Sequence, residues 1–240
     1  MIKKIAGFTL GEVLIALTVI GVVAVLVMPQ LVLGQKAAKA KAQFDTGYSL
    51  VAKAIADMDS DDISTDPSKY PTRTFYPKFK EYNRFTVDCG VNNTSPNTSV
   101  CPSTTDYVNI TGTTKISKDL LDDGALVLNN GMLMAVENCV GCSGYGPDHN
   151  LWVVVDINGK NNRPNRLGHD LFVLQILNGE VLPLGAPGTD ALFSAKPEDY
   201  CCISSVNKNC TVKSAAMNGY TCAFYAASDE EYFKKIYNGH

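Results

Sequence analysis

The chain is predicted to be an α+β protein: a long N-terminal α-helix, partly transmembrane, packed on an antiparallel β-sheet with disulfide-stapled loops. Three observations predict it. Residues 13–33 are almost wholly apolar, Thr18 and Gln30 being the polar exceptions, and an apolar stripe at helical spacing follows. Residues 125–184 alternate short apolar runs with Asn-Gly turns, the mark of antiparallel hairpins. Eight cysteines all lie after the apolar run and fit an oxidising compartment, where disulfides persist.

The bulk numbers narrow the function classes. A chain of 240 residues holds one globular domain plus an appendage. A formal net charge of −3 lacks the basic excess of a nucleic-acid-binding surface. Zinc ligands are the alternative reading of the cysteines, but a single C-x-x-C with no second knuckle is thin support for it.

From the N-terminus, residues 1–7 (MIKKIAG) are short and carry the basic pair Lys3 and Lys4. The apolar run 13–33 would extend roughly 30 Å as a helix, the hydrocarbon thickness of a bilayer. A buried core helix is the bland alternative. A secretory signal peptide is another, but its cleavage site would be Ala38-Lys39-Ala40, beyond a run too long for that class. Glu12 stands at the edge of the run. A carboxylate at membrane depth costs roughly 3 kcal/mol unless partnered, so Glu12 is either functional or a helix-end group in the headgroup layer.

The segment Gly7-Phe8-Thr9-Leu10-Gly11-Glu12-Val13-Leu14-Ile15, ahead of an apolar helix, resembles the class III leader of type IV pilins and type II secretion pseudopilins. That resemblance covers residues 1–30. It implies cleavage by prepilin peptidase after Gly7, N-methylation of Phe8, and pairing of Glu12 with the terminal amine of a neighbouring subunit. Pro29 matches a proline that the family carries along the span. Gly11 departs from the bulky aliphatic usual before the glutamate. The implied partners are homologous pilin or pseudopilin subunits, the peptidase, an inner-membrane assembly platform, and lipid before assembly; nucleic acid is not indicated. Lysines flank the span on both sides, so charge alone does not orient it. The cysteines, and the cytoplasmic leader that the resemblance implies, place the head outside the cytoplasm, on a single-pass inner-membrane anchor before assembly.

The chain then divides as leader 1–7, transmembrane and assembly helix 8–33, amphipathic helix half 34–58, polar loop region 59–124, antiparallel sheet 125–184 and disulfide-rich C-terminal region 185–240. In 34–58, Ala37, Ala40, Phe44, Tyr48, Val51, Ile55 and Met58 continue a stripe from Leu33. A helix from 8 to 58 would be roughly 75 Å long. Pro29 should kink or locally melt it, with Gly21, Gly34 and Gly47 as weak points. Asp57, Asp59, Asp61, Asp62 and Asp66, closing on Asp66-Pro67, end the helix in a loop read as solvated rather than calcium-binding. The Asn-x-Ser/Thr triplets at Asn92, Asn97 and Asn109 are expected by chance in so Thr- and Asn-rich a stretch. Strands are expected at 125–128, 132–136, 151–157, 171–177 and 180–182, with the long helix covering one face. Helix plus antiparallel meander is also the fold that the resemblance implies, the type IV pilin-like fold.

Local pairing suggests disulfides Cys89–Cys101 and Cys139–Cys142, with Cys201 and Cys202 shared between Cys210 and Cys222. Cys139-Val140-Gly141-Cys142 also has redox spacing, but the loop after it lacks the helix N-terminus that activates such a thiol. Asp156, Asn158, Asn165 and Asp170, between two strands, supply oxygen ligands suited to Ca2+. Some pseudopilins carry a calcium loop near this part of the sheet. The alternative is an Asx-rich turn with Gly159 and Gly168 at positive φ. No Ser/His/Asp set or phosphate-cradling glycine loop stands out, so the chain is read as no enzyme. The expected function is a structural subunit of a type IV pilus-like or type II secretion filament. The alternative is a minor or tip pilin that binds a surface, DNA or a secreted substrate.

Overall fold

The structure, a computed structural model, describes residues 7–93, 99–103, 105–116, 118–140, 149–189, 202 and 218–238. Helix α1 spans Leu10–Ser60, and its 51 residues bring it to roughly 75 Å. It starts on a capping box: the Thr9 hydroxyl accepts from the Glu12 backbone N–H, and the Glu12 side chain accepts from the Thr9 backbone N–H. It ends where Asp61 closes the last turn, before Asp66 and Pro67. Helix runs unbroken through Pro29, so the expected melting there does not occur. A proline removes one donor only, and the intact turns on either side carry the helix past it.

The two halves of α1 differ in what covers them. From Leu10 to Val32 the large apolar residues are exposed, which makes α1 one helix long and apolar enough to cross a membrane. From Ala37 onward the stripe Ala37, Ala40, Phe44, Gly47, Val51, Ala54, Ile55 and Met58 is buried. Leu33 and Tyr48 are half-buried at its margin. Gly47 is no weak point. A Cβ there would lie 2.8 Å from Val155 Cγ1, so glycine permits a close approach of helix to sheet.

That sheet has six antiparallel strands in chain order: β1 Phe85–Gly90, β2 Ala125–Leu128, β3 Leu133–Val140, β4 His149–Asp156, β5 Leu171–Leu177 and β6 Glu180–Pro183. Four come close to the expected ranges, β3 runs further than expected, and β1 falls in what the sequence presents as polar loop. β1 is irregular against β2, with register shifts on both sides of Val87-Asp88, which hides its alternation. The short helices α2 (Tyr76–Phe79), α3 (Cys222–Ser228) and α4 (Tyr232–Tyr237) are the other α-helices among the described residues, and short 3-10 turns lie between 67 and 121.

Both faces of the sheet are buried, not one. Leu126, Met134, Val136, Val153, Val155, Phe172 and Leu174 form a core with the α1 stripe, α3 and α4. Phe172 is its hinge point: its ring meets Phe44 edge-on at 4.8 Å and Phe233 at 5.8 Å, joining β5 to α1 and α4. The alternate residues Ala135, Trp152, Val154, Leu171 and Val173 pack under Tyr107, Ile116, Leu120, Leu121 and Tyr220. Part of the polar region 59–124 is therefore the second cover. It does so chiefly through Tyr107, Ile116, Leu120 and Leu121, all of them buried.

Candidate functional site

Three groups of polar residues stand out, at the tip of α1, in the β4–β5 loop and beside β3. At the tip, Phe8 is 88% exposed, and a Cβ on Gly7 would meet nothing within 4 Å, so the Gly7–Phe8 bond is open to approach. Glu12 Oε2 accepts from the Thr9 backbone N–H and from the Thr9 hydroxyl, both at 2.8 Å. Glu12 thus serves its own helix start in the isolated chain, through the Thr-x-x-Glu spacing of residues 9–12 that marks a capping box.

In the β4–β5 loop the four residues singled out for calcium do come together. Asp156 and Asp170 are fully buried and Asn165 is 1% exposed. Asp156 Oδ1 accepts from the backbone N–H of Gly159 at 2.8 Å and of Asn158 at 3.2 Å. Asp170 accepts backbone N–H from Asn165 at 2.8 Å and Arg166 at 2.6 Å, and more weakly the Asn158 amide at 3.4 Å. Gly159 and Gly168 take φ of 80° and 75°, as an Asx-rich turn requires. A Cβ on Gly159 would stand 2.3 Å from the Gly131 carbonyl oxygen, so no other residue fits there.

Tyr107 completes this site and was not legible in the sequence, because it lies 49 residues from Asp156. Its hydroxyl donates to Asp156 Oδ2 at 2.7 Å. Burial and the Asp156 charge push the phenol well above its ordinary range, so it remains a donor. Lys160 turns away, donating to the Cys101 carbonyl at 2.8 Å and pairing with Asp106 at 3.1 Å.

Charge balance in the loop is unusual. Among the described residues no cation pairs with Asp156 or Asp170. Burial pushes Asp156 up to about 6. Burial, and then the neighbouring Asp156, push Asp170 up to about 7. The side-chain oxygens of Asn158 and Asn165 are buried without a hydrogen-bond partner. The loop is acceptor-rich, and among the described residues none of its own cations, Lys160, Arg163 and Arg166, pairs with these two carboxylates.

The third group was missed in the sequence. Asp122, Asp123 and Glu137 bring carboxylate oxygens within 4.8 Å of one another and could hold a metal ion. Arg73 already bridges two of them, at 2.5 Å to Asp122 and 2.9 Å to Asp123. Burial raises Asp123 to about 6 despite the Asn138 N–H and Arg73 that it holds. The pair Asp122-Asp123 was visible, but its counter-ion comes from 49 residues upstream.

The cysteines staple these parts. Cys89–Cys101 ties β1 to the segment that carries Tyr107, as local pairing suggested. Cys202–Cys222 holds α3. A Cβ on Gly168 would meet Cys222 Sγ and the Tyr232 hydroxyl, which donates to the Gly168 carbonyl at 2.7 Å, so the C-terminal helices rest on the β4–β5 loop. The Cys139–Cys142 and Cys201–Cys210 pairings lie outside the described residues or side chains. No protein-family model, curated protein or solved structure matches the chain.

Proposed function

We propose that the chain is a pilin-like structural subunit: its N-terminal helix anchors it in the membrane and then carries it into a filament. The observation that carries this reading is the division of α1. One half leaves apolar side chains exposed on every side, and the other half is fused into the core of the head. A helix so built can exchange lipid for the same helix of neighbouring copies without disturbing the head. The open Gly7–Phe8 bond suits the peptidase, and the staples suit a head outside the cytoplasm. Its role is mechanical, not catalytic. Intact-mass measurement of sheared surface filaments should find this chain beginning at an N-methylated Phe8. A filament fraction that holds only the uncleaved chain, or none of it, overturns the reading.

Calcium in the β4–β5 loop belongs to the same proposal. Two buried carboxylates that no cation pairs with among the described residues, and two orphaned amide oxygens, are a donor set that a hard cation fits. Bound there, the ion would supply a counter-charge to Asp156 and Asp170, held by those two carboxylates with Asn158 and Asn165. Saturating Ca2+ at neutral pH should stabilise the full chain in detergent by about 2.7 kcal/mol at a hundredfold excess over its Kd. The pH dependence has a definite sign. Both folded carboxyls titrate above the unfolded Asp value, so the folded state holds more protons, and their contribution is lost as pH rises from about 4 to about 7. Burial lowers His169 to about 4, and this works in the opposite direction below its unfolded value, so the comparison must be differential. Asp170→Asn should flatten the loss that the wild type shows toward pH 7 and abolish the Ca2+ response. Equal Ca2+ response in the variant would exclude this loop.

A further inference from the structure

A basic cavity lies where α1 leaves its apolar run. The run closes at Leu33, and Lys36 and Lys39 follow it on the helix. At 1.5 Å per residue they stand about 4.5 and 9 Å beyond it along the axis. Beside them opens a cavity of about 600 Å³, lined by Lys36, Lys39 and Gln43 of α1, by Arg163 and His169 of the β4–β5 loop, and by Tyr237 of α4. None of the residues lining it is acidic. Among the described residues Lys36, Lys39 and Arg163 form no ion pair, as also holds for Lys69, Arg84, Lys115 and Arg166, so their charges are available to an anion. A second cavity of about 390 Å³, touching Gln30, Leu33 and Gly34 together with Lys234 and Asn238 of α4, lies on α1 nearer the apolar run.

Depth identifies the occupant. The headgroup layer is about 5–7 Å thick on each side of a hydrocarbon core of about 30 Å. With the apolar run in the core, Lys36 lies within that layer and Lys39 about 2 Å or more beyond it, near enough for its long side chain to reach back. Three unpaired cations around a concave site match a phosphodiester, and the apolar flank of α1 just below would take the acyl chains. We propose that this cavity binds the phosphate headgroup of a membrane phospholipid, held at the junction of span and head in the unassembled subunit. The proposal rests on reading α1 as a membrane span, and its test separates the two.

The full-length chain is reconstituted in vesicles of equal parts phosphatidylcholine and phosphatidylglycerol and floated. It is then moved to mild detergent, and retained phospholipid is read by native mass spectrometry. Wild type should float and retain phospholipid. The variant Lys36→Gln/Lys39→Gln/Arg163→Gln, which keeps side-chain bulk, should float equally yet retain about tenfold less or lower. Its near-ultraviolet signal from the buried Trp152 should be unchanged, confirming the fold. Equal retention by the variant overturns the proposal and leaves the span intact; failure of wild type to float overturns the span reading itself. Full displacement of the lipid by inorganic phosphate alone would reassign the site to free phosphate. Absence of retained lipid, with copy-to-copy association lost in the variant, would reassign it to an acidic side chain of a second copy.

Discussion

Glu12→Ala should reduce incorporation into filaments to background while leaving membrane insertion unchanged. Two roles converge on this carboxylate, and alanine removes both. One is local: Glu12 accepts the Thr9 N–H in the capping box, which satisfies a donor at the helix start. The other is proposed: pairing with the terminal amine of a neighbouring copy, without which a carboxylate near the hydrocarbon costs roughly 3 kcal/mol. Glu12→Gln separates them. Glutamine still caps but carries no charge, so if the inter-subunit pair matters, Glu12→Gln should fail in assembly as completely as alanine. Shearing yield, with carbonate extraction as the insertion control, reads both. Normal assembly of Glu12→Gln would mean that capping alone is required and would remove the amine pair from the mechanism.

Phe172→Ala should cost the head about 3–5 kcal/mol, the range for a large aromatic truncated in a core that cannot collapse around the gap. The ring is 1% exposed and touches Phe44 of α1 and Phe233 of α4, so its loss opens a void among three elements. Chemical denaturation of the full chain in detergent, followed by Trp152 fluorescence, measures it. Val181→Ala, at the edge strand and 8% exposed, should cost far less and serves as the reference. A loss for Phe172→Ala below about 1 kcal/mol would mean that α1 and α4 are not packed on β5 as described.

Much of the fold was legible because its signals are local. The α1 stripe was read almost residue for residue, since burial on one helix face imposes a 3.6-residue period. The β2–β3 and β5–β6 hairpins announced themselves through Asn129-Asn130-Gly131 and Asn178-Gly179, where the chain takes positive φ at Gly131, Asn178 and Gly179. β1 did not announce itself, because its bulged register breaks the alternation. The continuous apolar runs of β4 and β5 did carry a sign that both faces are covered, as a fully buried strand needs no alternation. Nothing nearby in the chain named the second cover.

The same distinction holds for the sites. Gly7, Phe8, Glu12 and the four loop residues were singled out from their neighbours in sequence, because a leader-like motif and an Asx turn are each built from one short segment. The local cysteine pair Cys89–Cys101 was found in the same way.

What the sequence by itself determined is the long helix with its exposed and buried halves, the sheet hairpins and the polar β4–β5 loop, all set by interactions within a few residues. What only the tertiary structure decided is the company those elements keep. Tyr107 donates to Asp156, Arg73 spans Asp122 and Asp123, and Lys36 and Lys39 share a cavity with Arg163. Each joins segments far apart in the chain. Such partners meet only after the apolar faces have packed, so the hydrophobic core, not local propensity, selects them.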